Sequence, residues 1–324
     1  MTIFIVGGAG YIGSHMVKQA YLSGYDVVTI DNLSTGHQES VKYGKFENCD
    51  IFDTKKLNLL FNRHKPKMVI HFAAFSIVGE SIKDPYKYYN NNVSGTLNLL
   101  KVMIDNNCKK IIFSSTAAVF GNPNYIPIDE KHTKYPINPY GKSKLMIEQI
   151  LKDFEDAYNL KYIIFRYFNA AGHDKDGELS ENHNPETHLL PLIMQTLRNE
   201  RKSISLFGID YDTNDGTCIR DYIHVEDLCN AHLKGIEYLN NSNSESNEFN
   251  LGNGTGFSVK EIINNIKKIT NSDFLVEEDA RRIGDPAVLI SSNEKAKRLL
   301  SFFPKYDTIE KIILTLIKDS DVQK

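Results

Sequence analysis

The chain is poor in the features that mark secreted, membrane-embedded or nucleic-acid-binding proteins. It has only four cysteines in 324 residues, and Cys49, Cys108, Cys218 and Cys229 are widely spaced with no C-x-x-C pair. That argues against a disulfide framework or a cysteine zinc site and reads as reduced, inert thiols in a cytoplasmic protein. No metal site is expected. No run approaches the roughly 18 apolar residues of a membrane span. The opening run Met1–Val6 is too short for a signal peptide and leads straight into a glycine turn. A net charge of -3 offers no basic surface for nucleic acid or an anionic membrane.

What remains is an ordinary globular balance, 41% hydrophobic and 24% charged, in a chain long enough for two unequal lobes. The first half alternates short β-rich runs with longer amphipathic stretches. Strands are expected at 3–6, 26–30, 45–49, 68–72, 111–114 and 162–167, and helices at 14–23, 54–64, 86–106 and 139–158. Several strands are apolar on both faces, as parallel strands covered on each side must be. The pattern predicts an α/β fold, a Rossmann-type doubly wound parallel sheet. After Phe168 it breaks into a polar, glycine-bearing stretch, a helix near 189–200, a loop at 208–216 and an Asn/Ser-rich surface loop at 240–248. This second half reads as a smaller α/β lobe. The expected division is 1–170 for a dinucleotide and 171–324 for a substrate, with residues near 220–240 packing back on the first lobe.

Gly7-Gly8-Ala9-Gly10-Tyr11-Ile12-Gly13 follows the first strand and opens a helix. In such a turn Gly7 permits the tight bend, Gly10 lets the backbone approach a pyrophosphate, and Gly13 allows close helix–strand packing. The helix N-terminus then presents free N–H groups and a positive dipole end. Asp31 ends the second strand, where a carboxylate hydrogen-bonds an adenosine ribose 2′-hydroxyl and repels a 2′-phosphate. NAD is therefore expected in preference to NADP.

Asn138-Pro139-Tyr140-Gly141-Lys142-Ser143-Lys144 begins another helix. Tyr140 and Lys144 lie four apart and share a face, continued by Ile147, Leu151 and Phe154. A phenol is a poor base at neutral pH, and a nearby ammonium favours its phenolate. Between the glycine turn and this pair, Ser114-Ser115-Thr116 ends a strand at the edge where ligands bind in doubly wound folds. Any of the three hydroxyls could hold a reacting oxygen.

These features together resemble the extended short-chain dehydrogenase/reductase family, and within it the UDP-glucose 4-epimerases. The matching stretches include GGAGYIGSH at 7–15, DNLSTG at 31–36, VIHFAA at 69–74, FSSTAAVFG at 113–121, PYGKSKLMIEQIL at 139–151, RYFNAAG at 166–172, NLGNGTGFSV at 250–259 and RRIGDPA at 281–287. They span nearly the whole chain. The resemblance implies transient oxidation at C4 of a UDP-sugar on tightly held NAD, with Tyr140, Lys144 and Thr116 catalytic and UDP-glucose and UDP-galactose as substrates. It implies NAD contacts from Gly7, Gly10, Tyr11, Ile12, Gly13, Asp31, Asn32, Leu33, Ser34, Thr35, Gly36, Asp50, Ile51, Phe72, Ala73, Ala74, Ser76, Asn91, Tyr140, Lys144 and Phe168. It implies UDP-sugar contacts from Thr116, Tyr140, Asn169, His188, Ser205, Leu206, Phe207, Arg220, Arg282 and Asp285. Arginine forks suit a diphosphate, although on residue pattern alone Arg220 reads first as an ion-pair partner of Asp221. A homodimer through helices 86–106 and 139–158 is also implied.

The chain departs from the family pattern in two places. Phe120 replaces the usual tyrosine of V-Y-G. After RRIGD, where members strict for plain hexoses carry a tyrosine, this chain reads Pro286-Ala287-Val288-Leu289-Ile290; the smaller residues predict room for UDP-N-acetylhexosamines, UDP-GlcNAc and UDP-GalNAc. A 4,6-dehydratase is disfavoured, because Ala117-Ala118 stands where that chemistry needs Asp-Glu. A UDP-glucuronate 4-epimerase and a non-catalytic NAD sensor are the remaining alternatives, and the retained Tyr/Lys pair argues against the sensor.

Overall fold

The computed structural model describes every residue except 242, 283, 319, 320 and 322–324. Ser242, within the expected surface loop, and Ile283, within RRIGDPA, therefore lie outside the described residues. The first half supplies strands β1 (Thr2–Val6), β2 (Asp26–Asp31), β3 (Lys45–Asn48), β4 (Met68–His71), β5 (Lys110–Thr116) and β6 (Lys161–Tyr167). The second supplies β7 (Asn169–Ala171), β8 (Ile204–Phe207), β9 (Ile219–His224), β10 (Asn247–Leu251), β11 (Gly256–Ser258), β12 (Val276–Asp279) and β13 (Val288–Leu289). The helices are α1 (Tyr11–Leu22), α2 (Thr54–His64), α3 (Val78–Lys83), α4 (Pro85–Tyr88), α5 (Gly95–Asp105), α6 (Pro139–Tyr158), α7 (Leu189–Leu197), α8 (Val225–Asn240), α9 (Val259–Thr270), α10 (Glu294–Leu300) and α11 (Ile309–Leu316).

Seven strands form one sheet in the order β10-β6-β5-β4-β1-β2-β3, every neighbouring pair parallel. The expected doubly wound sheet is present, with one strand more than the first half alone provides. The sequence order reverses at β1 and β4, so the loops leaving their C-terminal ends splay apart and open a crevice. Both faces of the sheet are covered, which is why β1 and β4 are apolar without alternation. One apolar layer joins Ile3, Ile5 and Ile70 to α1 and α8 residues such as Met16 and Leu228. The other joins Phe4, Val6 and Val69 to Leu57, Leu99, Ile147 and Leu151 of α2, α5 and α6. The second half returns to the first at several points: α8 packs on α1, β10 pairs with β6, and Ser291 bridges to Ile128.

Beyond the large sheet, β9 is flanked by β11, β13 and β7, and β8 pairs with β12. Their core includes Leu206, Ile193, Ile262, Ile266 and Ile313. The helix expected at 86–106 is present, and its backbone stays helical from α4 through α5. Between α4 and α5, residues 89–94 form a π-turn, an insertion that apolar periodicity does not register. It is fixed by Asn92, whose side chain accepts from Phe75 N (2.9 Å) and donates to Phe75 O (3.1 Å) and Ser143 Oγ (3.0 Å). Among the described residues no helix is long and apolar enough to cross a membrane, and all four cysteines are free and buried.

Candidate active site

A cleft of about 670 Å³ lies over the C-terminal ends of the strands, a volume suited to a small ligand or cofactor. Its floor is the turn after β1. Gly7 has φ +83°, and a side chain there would fall on the backbone of Phe72 and Ala73. At Gly13 a methyl would strike the Gly7 carbonyl and come within 2.8 Å of Gly8 Cα. The turn thus folds this tightly only with glycine at both positions, and it delivers the start of α1 to the cleft. That start has no side-chain cap and no acidic residue in its first turn, so its N–H groups and dipole are left for an anion. Asp31, at the tip of β2, is held rigidly: Oδ2 accepts from Ala9 N (2.9 Å) and Oδ1 from Leu33 N (2.8 Å). A glycine cradle, an uncapped helix start and a fixed carboxylate together fit a dinucleotide.

The opposite wall carries the hydroxyl, phenol and amine. Asn138 caps α6 by accepting from Gly141 N (2.9 Å). Gly141 lies against the β5 end so closely that a Cβ would meet the Ala118 carbonyl at 2.5 Å. That approach sets Tyr140 beside Thr116. Strand alternation sets Ser115 apart from Ser114 and Thr116: Ser115 Oγ donates to Glu148 Oε1 at 2.6 Å, whereas the Thr116 hydroxyl, which accepts from Ala118 N at 3.1 Å, is the one that opposes the burial-raised pKa of Tyr140. Ser114 contributes its carbonyl, which accepts from Lys144 Nζ at 2.7 Å.

Burial governs the titration of both groups. It raises the Tyr140 pKa, with Thr116 opposing, and it lowers Lys144 to about 7, with Glu148 opposing. The simple expectation that the lysine ammonium pulls the phenol down is therefore not met by these two side chains alone. Desolvation outweighs their mutual field.

Beneath the pair is a network that sequence reasoning missed. Arg166, wholly buried, donates from Nε to Glu148 Oε1 (2.9 Å) and from Nη2 to Glu148 Oε2 (2.8 Å), and also binds Glu248. Glu148 sits one helical turn beyond Lys144, so the Tyr140–Lys144–Glu148 spacing was the available signal.

Of the residues expected at NAD, all but Leu33 and Asp50 line the cleft. Leu33 instead gives its N–H to Asp31. Asp50 is turned to Asn32 Nδ2 (2.7 Å) and Phe52 N (2.8 Å), and Ile51 is the member of that pair at the cleft. Of those expected at the UDP-sugar, Thr116, Tyr140, Asn169 and His188 line it, whereas Ser205, Leu206, Phe207, Arg220, Arg282 and Asp285 do not. Leu206 is buried in the second-half core. The others gather near β8 and β9: the Arg282 guanidinium lies 4.0 Å over the Phe207 ring, and Arg220 faces Asp285 at 3.4 Å. Arg220 is not paired with Asp221, which is buried and accepts from Ser291, Asn253 and Gly254. The Asp285 contact lacks hydrogen-bond geometry and leaves the buried Arg220 Nη2 without an acceptor. His188 belongs to a loop that also brings Glu181, His183 and Glu186 together. Burial opposes charge on both imidazoles, but the facing carboxylates outweigh it and raise His183 to about 9 and His188 to about 10.

Fold and cleft bring a dinucleotide cradle together with a tyrosine, a lysine and a strand-end hydroxyl, as a dinucleotide-dependent enzyme has them. Residues 3–252 match the NAD dependent epimerase/dehydratase family, and the chain belongs to that family. Across 97% of its length it is 48% identical to the UDP-glucose 4-epimerase of Halalkalibacterium halodurans, covering 93% of that relative. The crystal structure of UDP-glucose 4-epimerase from Brucella ovis in complex with NAD superposes with a TM-score of 0.94 at 45% identity, over 97% of this chain and 96% of that one. The UDP-Glc/GlcNAc 4-epimerase of Campylobacter jejuni superposes with a TM-score of 0.84 at 43% identity, over 97% of both chains.

Proposed function

We propose that the protein is an NAD-dependent UDP-hexose 4-epimerase that interconverts UDP-glucose and UDP-galactose. The observation that carries this reading is the junction of the glycine cradle with Tyr140, Thr116 and Lys144 in one cleft. NAD, when bound, supplies a hydride acceptor that can return the hydride, and a positively charged ring. Tyr140 takes the proton of the sugar 4-hydroxyl and gives it back, and Thr116 holds the 4-oxygen. Lys144, anchored on the Ser114 carbonyl, orients the phenol and the nicotinamide ribose. Because burial holds the phenol protonated, proton removal depends on a positive charge entering the cleft, which ties it to the loaded cofactor. No net redox change results.

Residues 1–170 are assigned to NAD and 171–324 to the UDP-sugar, with β10 completing the large sheet. Arg220, with its unmatched buried donor, and Arg282 are the diphosphate ligands in this reading; Asn169, His188, Ser205, Leu206, Phe207 and Asp285 complete the nucleotide-sugar contacts. Exposed Tyr86, Leu97, Met146 and Tyr158 on the α4–α6 face support homodimerisation there. The four buried free thiols fit a cytoplasmic setting. Incubation with UDP-galactose, followed by separation of the epimers, tests the activity. Tyr140→Phe should lower turnover by about 10²–10⁴-fold, and wild-type turnover in that variant would refute the mechanism.

A second reading concerns the sugar 2-position. Leu289 packs on the Ala117, Val119, Phe120 and Phe168 cluster at the end of β5, so the segment without an aromatic lies beside the catalytic strand. That supports acceptance of UDP-N-acetylhexosamines.

A further inference from the structure

The loop between β7 and α7 holds a cluster of four residues of which the epimerase reading uses only His188. Glu181, His183, Glu186 and His188 follow one another with the spacing Glu-x-His-x-x-Glu-x-His. Each can offer one ligand atom to a common point, all of them within 4.8 Å of one another. His183 Nδ1 lies 3.3 Å from Glu181 Oε1 and 3.5 Å from Glu186 Oε2; His188 Nδ1 lies 2.9 Å from Glu181 Oε1 and 3.1 Å from Glu186 Oε1. With zinc–ligand bonds of about 2.0–2.2 Å, the edge of a tetrahedron is about 3.3–3.6 Å. The two His183 separations match that edge, while the two His188 separations are shorter and Glu186 turns a different oxygen to each histidine.

Hydrogen bonding accounts for only part of the cluster: Glu186 Oε1 is hydrogen-bonded to His188 Nδ1 at 3.1 Å and accepts from the backbone N–H groups of Thr187 and His188. Each Nδ1 carries at most one hydrogen, yet each faces two carboxylates. His183 Nδ1 is buried without a single contact of hydrogen-bond geometry. A cation at the centre would satisfy all four atoms at once. Two neutral imidazoles and two carboxylates neutralise a divalent charge, and a mixed nitrogen and oxygen donor set of four favours zinc over magnesium or calcium, which prefer six or more oxygens.

We propose that these four residues form a closed, structural zinc site that clamps the wall of the cofactor cleft. His183 and His188 themselves line the cleft, as do Asn184, Pro185 and Thr187 between them, and the His183 ring stands 6.2 Å from that of Tyr11 at the start of α1. Four protein ligands leave no position for substrate, so the metal organises the loop and takes no part in the chemistry. The competing arrangement is a pair of imidazolium–carboxylate bridges with no metal.

Untagged protein, stripped with a chelator and refolded by its circular dichroism criterion, should take up one zinc per chain when ZnCl₂ is titrated against a chromogenic competitor. His183→Ala, His188→Ala and Glu181→Gln should each abolish that uptake while keeping the native circular dichroism. Uptake of no zinc by the wild type, or of one zinc per chain by all three variants, overturns the proposal. Should the variants not fold, cobalt(II) added to the stripped wild type decides the matter: intense four-coordinate visible bands support the site, and the pale six-coordinate spectrum or none refutes it.

Discussion

At Lys144 the proposed mechanism sets activity against stability, and the difference is measurable. Its amine is buried, and burial lowers its pKa from 10.5 to about 7. At about 1.36 kcal/mol per pH unit, keeping the ammonium inside the fold costs on the order of 5 kcal/mol. Replacement by methionine removes that cost but leaves the Ser114 carbonyl without its donor, a loss of about 1–3 kcal/mol. Nucleotide-free Lys144→Met should therefore be more stable than wild type by about 2–4 kcal/mol near neutral pH, while epimerisation falls with the loss of the amine. The sign with pH follows from linkage. The unfolded chain binds the proton below 10.5 and the folded chain only below about 7, so wild-type stability rises as pH climbs through that window. The advantage of the variant should be full below about pH 7 and should shrink steadily toward about pH 10. Urea denaturation of both proteins at several pH values measures it. A variant less stable than wild type at low pH, or a difference that ignores pH, would refute the electrostatic argument.

Arg166→Met strands the buried Glu148 carboxylate and should lower unfolding free energy by about 3–5 kcal/mol; in urea denaturation, a companion Glu148→Leu substitution should restore part of the loss, and additive losses would count against the network. Gly13→Ala drives a methyl into backbone and should unfold the turn, whereas at Gly10 a Cβ meets nothing nearer than the Gly7 carbonyl at 3.5 Å. Gly10→Ala should therefore keep its melting temperature yet bind NAD more weakly by calorimetry, and wild-type affinity in that variant would mean the cofactor does not approach there. UDP-N-acetylglucosamine should be epimerised alongside UDP-glucose, with Leu289→Tyr suppressing only the acetylated substrate; equal loss of both would show that the position does not read the 2-substituent.

Sequence carried the sheet and the placement of Tyr140 and Lys144 on one helical face because each is written in local pattern. Apolar runs without alternation announce strands buried on both faces, and the Tyr140–Lys144 interval is one helical turn. What it could not carry depends on geometry between distant segments. The π-turn at 89–94 is held by Asn92 reaching Phe75 and Ser143, contacts invisible to periodicity. Which hydroxyl of 114–116 stands by the phenol was open in the sequence; in the fold Ser115 turns to Glu148 and Thr116 to Tyr140. Arg220 read first as a partner of Asp221, because neighbours in sequence look like neighbours in space; on β9 their side chains diverge, one to Asp285 and one to Ser291. The absence of a cysteine zinc motif was informative only about cysteines, and left the histidine–carboxylate loop unread.

The placement of charge explains why this cleft suits a reaction with no net redox change. Glu148, Arg166 and Glu248 are joined under the catalytic pair, so the one group there with an adjustable charge is Lys144, and it sits near 7. The phenol above it is held protonated by burial. Neither group is set permanently as base or acid, and the same phenol can take a proton in one half of the cycle and return it in the other. A permanently charged lysine in a wetter cleft would lower the phenol pKa whether or not a ligand is bound. Burial instead ties the proton to the presence of ligand charge, and that is what an epimerase requires of a shared intermediate.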